Sequence, residues 1–506
     1  MEIRELPGGQ RSYNSGNVNF TTPGDNRCDL LFSNRFITCL TFYGTLSHPN
    51  PEFICFSTGI FVTMFSLNFK SSQGEDAMNH RMKIGFFLLF STFLLLPATT
   101  SAQVDEESFQ QLEFNFVPPG ARATAMGGAF IALADDATAA ISNPAGLLAL
   151  LRPEISFELK ALDYSVHRLA GGESLRTLKT DEFGKSVTSP SFASFVYPGN
   201  QWAIGVFRHE FLNFEDEFGL STRPIPDTAF QLVPAQGAVD ILGEQFGLSL
   251  ALRLGKLDVG GTIKYMRMDI QNRIVRVFST GIRNEVFLDD ADTGFGFGFG
   301  FILHITPKFQ IGGTAHFNPR FHFEGETLSI INPATNERIV FRTNMPSIAI
   351  PHVIGGGFAI RPTDALVITA DVVWVNLSRM FDESTVIYDN GPNITADRFN
   401  IDDRVEVHGG LEYVFFAGNI PIALRIGGFV VPEKRIHYRP LSDPLPGLES
   451  AINRAFQILY NRLPEDTDVG FSAGLGFVIS NTIQIDAAFS LLDTVNQFSI
   501  SAVVRF

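Results

Sequence analysis

Three cationic residues of this sequence would lie beside apolar or small side chains if their segments form extended strands. Lys264 alternates with Met266 and Met268, so in a strand these three side chains share one face. A cation beside adaptable thioether groups can hold an anion and the apolar body attached to it. Arg425 and Lys160 are further candidates for the same chemistry. The alternative is an ion-pair network with carboxylates of the same faces, namely Glu158, Asp371, Glu406 and Glu412.

Other kinds of reactive site are not indicated by the sequence. No Ser–His pair can be assigned to a catalytic triad, and the cysteines, Cys28, Cys39 and Cys55, all precede a predicted signal peptide. The exported part would therefore have no thiolate for catalysis or metal binding. Asp135 and Asp136 adjoin each other but have no third ligand nearby. We expect no enzyme activity, no cofactor and no metal site.

The stretch GFGFGFGFILHI, Gly294–Ile305, could be a phosphate-binding loop or part of a strand. A dinucleotide fingerprint requires G-x-G-x-x-G, and Phe299 or Phe301 occupies the third glycine position here. The strict alternation instead predicts a strand with one apolar face. Because glycine weakens a strand unless something approaches its backbone, we expect a plug or a ligand to pack on the other face. That face consists of Gly294, Gly296, Gly298 and Gly300.

The composition favours a membrane protein that lacks spanning helices. The chain has 506 residues, of which 50 are Phe and 45 are Gly, with 18% charged residues and a mean hydropathy of +0.13. No apolar run of about 18 residues, the length that a spanning helix needs, follows Pro97. The formal net charge of −15 argues against nucleic-acid binding.

The segment Met78–Gln103 has a positive start, a short apolar core and a small-residue cleavage site at Thr100–Ala102. We predict that residues 78–102 are a secretory signal peptide. Since such a signal belongs at an N-terminus, residues 1–77 are interpreted as a disordered extension from a mis-set start, with Met78 or Met82 as the true start. A genuine extended leader is the alternative.

Residues 153–506 alternate with a period of two in runs of about ten residues, which predicts strands. Six tight turns join twelve runs in pairs, and Glu154–Tyr164 and Phe498–Phe506 bring the total to fourteen. Long polar loops are expected at the other end, near residues 165–189, 213–244, 270–293, 319–350, 378–403 and 432–467. Even strand number with short turns and long loops predicts an all-β, antiparallel, transmembrane outer-membrane barrel in a Gram-negative-type bacterium. A soluble sandwich is the alternative.

The two faces of these strands differ in the way that a membrane barrel requires. One parity is apolar and should meet lipid, as in Phe246–Leu254 and Ile483–Leu491. The other parity should face the lumen. It carries charged and imidazole side chains, namely Lys160, Arg253, Lys264, His304, His316, Asp371, Glu406, His408, Glu412, Arg425 and Asp486.

Residues 103–152 differ from the strands, since they are rich in small residues and do not alternate. A lumen of fourteen strands would leak, so we expect this segment to fold inside it as a hatch. The motif GARATAMGGAFIALADDATAAISNPAGL, Gly120–Leu147, followed by fourteen strands and a terminal Phe506, resembles the FadL family of outer-membrane transporters for long-chain fatty acids and other hydrophobic molecules. Asn143-Pro144-Ala145-Gly146 is its most specific element.

The resemblance implies a monomeric barrel in the outer-membrane lipid, assembled by the barrel-insertion machinery. It also implies passive diffusion of a long-chain fatty acid or other hydrophobic molecule, with a rearrangement of the hatch and lateral exit through the wall. The sequence at Gly127–Phe130 and Ala134–Ala137 is similar to that of a second, PorV-like branch, whose barrels serve protein secretion as shuttles. That role is the alternative function.

The residues of the hatch have physical roles that do not require substrate contact. Gly127 and Gly128 would allow close packing against the wall. Asp135 and Asp136 could cap a short helix at Ala137–Ala140. Asn143 would accept local backbone bonds while Pro144 fixes its backbone, which sets a turn before Ala145 and Gly146.

Overall fold

The structure is a computed structural model that describes most of the chain after residue 113. The described residues are 37–39, 55–57, 114, 116–171, 179–224, 231–324, 327–332, 334–335, 337–342, 347–380, 398–432, 436–442, 447–461 and 467–506. The predicted extension, 1–77, and signal peptide, 78–102, lie outside them, apart from two short strands.

The chain divides into two compact units, Met1–Ser91 and Thr92–Phe506. In the first unit, Ile37–Cys39 pairs antiparallel with Cys55–Ser57. The second unit contains the predicted hatch region and all the long strands.

Fourteen antiparallel strands form the wall of a closed barrel in the second unit. We number them β1 to β14 in chain order. Their bounds are Glu154–Gly171, Lys179–Pro198, Trp202–Leu220, Ala235–Leu254, Leu257–Val277, Arg283–Thr306, Phe309–Phe317, Val353–Thr363, Leu366–Val375, Arg404–Ala417, Ile420–Val431, Asp468–Val478, Ile483–Leu491 and Val495–Arg505. Each pairs with its neighbours in sequence, and β14 pairs with β1, Val495 opposite Tyr164, so the sheet has no open edge. The predicted strand number and closure are confirmed.

The polarity of the wall is inverted relative to a soluble protein. Phe295, Phe297, Phe299 and Phe301 are 62, 46, 55 and 42% exposed on the outside of β6. The predicted lipid faces of β4 and β13 are exposed in the same way. Charged side chains lie on the inside, where Lys264, Asp371 and Asp486 are buried. A closed wall with hydrocarbon outside and charge inside is the architecture of an outer-membrane barrel.

Several strands are longer than the sequence predicts. β1 to β6 have between 18 and 24 residues each, so much of the predicted loops 165–189, 213–244 and 270–293 is strand. These extensions keep the alternation of buried and exposed residues, for example in β5, so pairing continues past the length that a membrane requires. These polar segments are therefore strands that project into water. Composition alone does not distinguish such strands from loops.

The remaining elements lie between the long strands. Thr327–Asn332 and Glu337–Arg342 form a hairpin whose first strand pairs with β6. A 15-residue helix, Gly447–Asn461, precedes β12. Its Phe456 and Tyr460 pack on Phe399 and Tyr438. Short antiparallel pairs complete this end, namely Arg223–Pro224 with Gln231–Leu232, Arg320–His322 with Ser347–Ala349, and Phe399–Ile401 with Ile436–Tyr438, together with the 3-10 turn Leu377–Met380.

The small-residue segment before β1 lies inside the barrel. It contains two short helices, α1 (Ala121–Ala125) and α2 (Ala139–Ser142), and a 3-10 helix, Pro144–Ala149. Its buried apolar residues pack with inward residues of the wall such as Phe192 and Phe207. Small side chains let this backbone approach the wall. Among the described residues, no helix is long and apolar enough to cross a membrane.

Placing a cation on the lipid face should destabilise the barrel in a depth-dependent way. Leu250, 53% exposed, is in the middle of the outward apolar run Phe246–Leu254 of β4, whereas Leu254 adjoins the turn at Gly255. We expect Leu250→Arg to lower the free energy of unfolding by about 2–4 kcal/mol and Leu254→Arg by about 0–1 kcal/mol. Urea titration in phospholipid vesicles measures both. Equal, small losses at the two positions would contradict the lipid assignment of this face.

Candidate functional site

A cavity that is partly open to solvent lies between the hatch and the inner face of the wall. The hatch contributes its stretch from Phe116 to Pro119 together with Gly128, Ile131, Ile141 and Ser142. The apolar contribution of the wall and the segments beyond it comes from Phe211, Met266, Ile350, Val353 and Val373.

Lys264 is the cation that the cavity contains. It lies on β5 with a glycine opposite it on either side, Gly247 of β4 and Gly296 of β6, so its long side chain has room against the wall. Its Nζ donates to Asn318 Oδ1 at 2.6 Å, and the side chain is 2% exposed. Within the described part of the chain no carboxylate lies at ion-pair distance from Nζ. A buried ammonium with a neutral partner can accept an anionic ligand without first losing an ion pair.

The two methionines predicted beside Lys264 belong to one apolar cluster, which also contains Phe211, Phe321 and Ile350. Met266 lines the cavity, whereas Met268, 0% exposed, does not. The sequence therefore places Lys264 and Met266 together correctly, while the structure makes Met268 a packing residue.

Polar residues outside the sequence-based ligand site also line the cavity, among them His209, Gln245, His316, Glu406 and His408. His209 of β3 lies directly opposite Gln245 of β4, and His209 Nδ1 is 2.8 Å from Gln245 Nε2. His316 of β7 also lines the cavity, with its Nε2 3.1 Å from Thr314 Oγ1. Extending the inward parity of β3 and β4 by a few residues would have identified His209 and Gln245, but nothing in the sequence indicates that they pair.

Arg425, the second predicted ligand-binding cation, does not line the cavity. Its Nε donates to Glu412 Oε2 and its Nη1 to Asp486 Oδ1, both at 2.6 Å. Glu412 also accepts from Arg122 of the hatch, at 2.8 Å to Nε. The ion-pair alternative therefore describes Arg425 correctly. The physical reason is that the register places Glu412 directly opposite Arg425 on the inner face.

Lys160, the third predicted cation, is also outside the cavity. Its Nζ lies 3.9 Å from Glu158 Oε2, and both side chains are buried, at 2 and 0% exposure. Glu158 in addition accepts from Ser191 Oγ at 2.7 Å and from Ser499 Oγ at 2.5 Å. This carboxylate therefore balances Lys160 in the wall, which removes Lys160 from the candidate site.

The two hatch glycines contact the wall as predicted. Gly127 has φ 68°, and a Cβ there would lie 2.9 Å from Gly409 O. Gly128 has φ 81°, and a Cβ there would lie 3.2 Å from His408 Nδ1. His408 Nδ1 is in turn 2.7 Å from Gly127 O. Both the left-handed conformation and the close approach exclude other residues here.

The predicted carboxylates of the hatch separate into two roles. Asp136 Oδ1 accepts from Thr138 N at 2.9 Å, which fixes the turn that leads into α2, and the helix begins at Ala139, two residues later than predicted. Burial outweighs the nearby Arg122 and raises the pKa of Asp136. Asp135 pairs with Arg122 and, at 3.0 Å, with Arg361 of the wall. Burial would lower the pKa of Arg122, but Asp135 and Glu412 outweigh it and hold that pKa above its ordinary value.

The NPAG motif, Asn143–Gly146, forms a turn that anchors the hatch to the wall. Asn143 Oδ1 accepts from Ala145 N at 3.2 Å, and Pro144 begins the 3-10 helix. Asn143 Nδ2 donates to Ile131 O at 2.8 Å and to Phe301 O of β6 at 3.2 Å. Gly146 packs against the Ala134 backbone so closely that a Cβ would overlap it. The predicted turn is present, and its wall contact explains why the side chain must be an amide.

The four lumen glycines of β6 face different neighbours. A Cβ at Gly300 would collide with Asn143 and lie 2.9 Å from Pro144 Cδ, so the hatch packs here as expected. A Cβ at Gly296 would lie 3.0 Å from both Lys264 Cε and Met266 Sδ, and one at Gly298 would lie 3.1 Å from His316 Nδ1. Gly294 faces Pro319. The expected hatch contact is therefore present at Gly300, while Gly294, Gly296 and Gly298 make room for side chains of neighbouring strands and segments, and ligand contact with these glycines stays a prediction.

Two neighbouring strands of the wall run on without backbone pairing above the cavity. β2 and β3 pair between Phe192–Pro198 and Ala203–His209, and both continue beyond these residues. We call the unpaired interval, from Ser191 and Glu210 outward, the seam. Within it Ser189 Oγ donates to Glu210 Oε1 at 2.5 Å, and Lys185 Nζ lies 2.7 Å from Glu215 Oε2. Side chains thus close the seam in place of a hydrogen-bonded ladder.

The pentapeptide Gly470–Gly474 has the G-x-S-x-G pattern of many hydrolase nucleophiles. That chemistry requires a sharp turn between a strand and a helix, whereas this pentapeptide lies within β12. Ser472 Oγ donates to Ala125 O of the hatch at 3.1 Å. Ser472 is therefore a contact between the wall and the hatch.

Solved structures with a similar fold are outer-membrane transporters. A Pseudomonas aeruginosa FadL homologue matches with a TM-score of 0.54 at 12% identity, covering 78% of this chain and 99% of that one. The Pseudomonas putida toluene transporter TodX has a TM-score of 0.53 at 14% identity, covering 77 and 99%. The Ralstonia pickettii toluene transporter TbuX has 0.52 at 16%, covering 78 and 99%. No family model and no curated protein matches the chain. The resemblance to the FadL family is confirmed in the fold.

Enlarging Gly300 should displace the hatch and open the lumen to ions. A side chain at Gly300 must push against Asn143 and Pro144, whereas the neighbouring Gly261 has its nearest contact at 3.9 Å, to Gly298 O. We expect Gly300→Val to raise the single-channel conductance in planar bilayers and Gly261→Val to leave it at the wild-type level, because only the first disturbs the hatch. Identical conductance in the two variants would show that Gly300 does not hold the hatch.

Proposed function

We propose that this protein admits amphiphilic hydrophobic molecules, long-chain fatty acids in particular, by passive diffusion through the outer membrane. The observation that carries the proposal is Lys264, a buried ammonium without a carboxylate partner among the described residues, in a cavity whose other walls are largely apolar. A carboxylate can replace the missing anion while its acyl chain lies along Phe211, Met266 and Val353.

The surrounding charges support this choice of site. Arg425 and Arg122 share Glu412, and Lys160 lies beside Glu158, so these cations are neutralised by the wall itself. A ligand anion would gain little from a cation that already has a partner. Lys264 therefore offers the stronger attraction, and its neutral partner Asn318 orients Nζ without cancelling its charge.

The hatch and the seam suggest how a ligand would leave. The hatch fills the lumen below the cavity, through contacts such as Ser249 Oγ to Ala140 O and Asn143 Nδ2 to Phe301 O. By contrast, His209 lies at the end of the β2–β3 ladder and Phe211 lies just beyond it, and both line the cavity. Side-chain contacts across the seam can separate without breaking a backbone ladder. We therefore propose lateral exit through the seam.

Removing the charge of Lys264 should weaken the binding of acids selectively. Lys264→Met keeps the apolar part of the side chain and removes the ammonium. Loss of one charge-assisted hydrogen bond, about 1.5–3 kcal/mol, should raise the Kd for myristate roughly ten- to hundredfold. The Kd for the methyl ester should change little. Fluorescence displacement on the purified barrel measures both constants.

Lys160→Met is the matched control, because Lys160 is equally buried but lies outside the cavity. It should leave the Kd for myristate unchanged. If the unaltered protein binds neither myristate nor its ester, the proposal of uptake fails. Co-purification with secretion components, together with unchanged growth on fatty acids after deletion, would then favour the PorV-like shuttle.

Joining the two sides of the seam should block transport without blocking binding. Lys185→Cys with Glu215→Cys places two thiols where an ion pair of 2.7 Å now spans the seam, and the sequence from Gln103 onward has no other cysteine. After treatment with a short bismaleimide, we expect fatty-acid uptake by cells to fall several-fold while the Kd of the purified barrel for myristate stays constant.

Arg273→Cys with Glu285→Cys is the matched control for this cross-link. It replaces an ion pair of 2.8 Å between β5 and β6, which are paired along their whole length there. Cross-linking at that position should leave uptake unchanged. Uptake at the wild-type rate in the cross-linked seam variant would exclude this exit.

A further inference from the structure

The pair formed by His209 and Gln245 leaves two polar atoms without a partner beside the cavity. Gln245 Oε1 and His209 Nε2 have no hydrogen-bond partner among the described residues. Both side chains are almost completely buried, at 4 and 2% exposure. Both residues line the cavity that contains Lys264. Buried polar atoms are rarely left unsatisfied, because each unmet group costs about 1–3 kcal/mol.

The hydrogen-bond chemistry of this pair fixes what each free atom requires. The Gln245 amide nitrogen can only donate, so across its 2.8 Å contact it donates to His209 Nδ1. His209 therefore carries its proton on Nε2, and this N–H is a donor without an acceptor. Gln245 Oε1 is an acceptor without a donor. A ligand that satisfies both atoms must both accept and donate.

These two atoms belong to the same site as Lys264. Gln245 and Gly247 are inward residues of β4, and Gly247 lies directly opposite Lys264 on β5. Gln245 and Lys264 are thus diagonal neighbours on one face, a spacing of about 7–8 Å that side chains of this length bridge. Lys264, His209 and Gln245 therefore line one stretch of the cavity wall.

We infer that the ligand is an acyl chain whose head carries a hydrogen-bond donor next to its carboxylate, such as a hydroxy fatty acid. The inference rests on the proposed function, because it assigns the carboxylate to Lys264. An ionised carboxylate only accepts hydrogen bonds, so a plain fatty acid satisfies Lys264 and His209 and leaves Gln245 Oε1 unmet. A hydroxyl on carbon 2 or 3 of the chain supplies the missing donor.

Paired ligands test the inference on the unaltered protein. Myristate is compared with 2-hydroxymyristate and 3-hydroxymyristate by displacement of a fluorescent fatty acid. Because the hydroxyl meets a buried acceptor that is otherwise unsatisfied, at least one hydroxy acid should bind on the order of tenfold more tightly than myristate. This comparison does not depend on the folding of any variant.

Two variants assign the effect to the named atoms. Gln245→Met keeps the length of the side chain and removes the acceptor, so the ratio of the Kd for myristate to the Kd for the hydroxy acid should fall to about one, whatever the Kd for myristate becomes. Lys264→Met should weaken all three acids by the same factor, so the preference remains. Loss of the heat-modifiable band on gels would identify a variant that has not folded.

The outcomes separate this inference from the proposed function. If myristate and both hydroxy acids bind with equal affinity, uptake of fatty acids stands but the inference is overturned, and water satisfies Gln245 and His209. A preference for the hydroxy acid that persists in Gln245→Met also overturns it. If none of the acids binds, both the proposed function and the inference fail.

Discussion

The constraint on which this structure depends is that lipid offers no partner to a backbone hydrogen bond. A wall that crosses the membrane must therefore pair all its strands in a closed ring, and here β14 returns to β1. Closing fourteen strands leaves a lumen wide enough to leak. The same constraint that produces the barrel thus creates the need for a hatch, and the hatch must itself satisfy its backbone against the wall. Ser249, Ser472 and Ser501 of the wall supply such contacts from their side chains.

The interior is consequently polar and densely paired. Arg122 of the hatch reaches Glu412 of β10, which binds Arg425 of β11, which binds Asp486 of β13. Breaking one link of such a buried network leaves an uncompensated charge, which costs about 3–5 kcal/mol. The network therefore fixes where the hatch lies, while the glycine contacts at Gly127 and Gly300 fix how closely it approaches. The ion pairs therefore set the position of the hatch, and the absence of side chains at these glycines sets its distance from the wall.

The sequence predicts the wall much better than the interior. Alternation, turn residues and apolar faces follow from period-two geometry, so strand number, closure and the lipid face of β6 could be derived residue by residue. The contacts inside the lumen could not be derived in this way, because they depend on the register of strands that are distant in sequence. Parity alone places Lys160, Lys264 and Arg425 inside, but only the register shows that Glu412 lies opposite Arg425 and glycines lie opposite Lys264. The seam coincides with Pro190 of β2, which cannot donate to a ladder, and with a register shift of β3 between Glu210 and Leu212.

The described wall around Lys264 lacks the carboxylate that usually pairs with a buried cation, and it lacks large side chains at the two positions opposite. A cation this deeply buried is ordinarily neutralised by a carboxylate, as the other predicted cations are. Here the opposing positions on both sides are glycine, which gives space and no charge, and the contact at Nζ is the neutral Asn318. The nearby pair of His209 and Gln245 is left half satisfied, at the level where the β2–β3 ladder stops. One place in the described chain therefore combines an ammonium without a carboxylate partner, polar atoms without hydrogen-bond partners and the end of a strand pairing. A binding site with a lateral exit requires this combination.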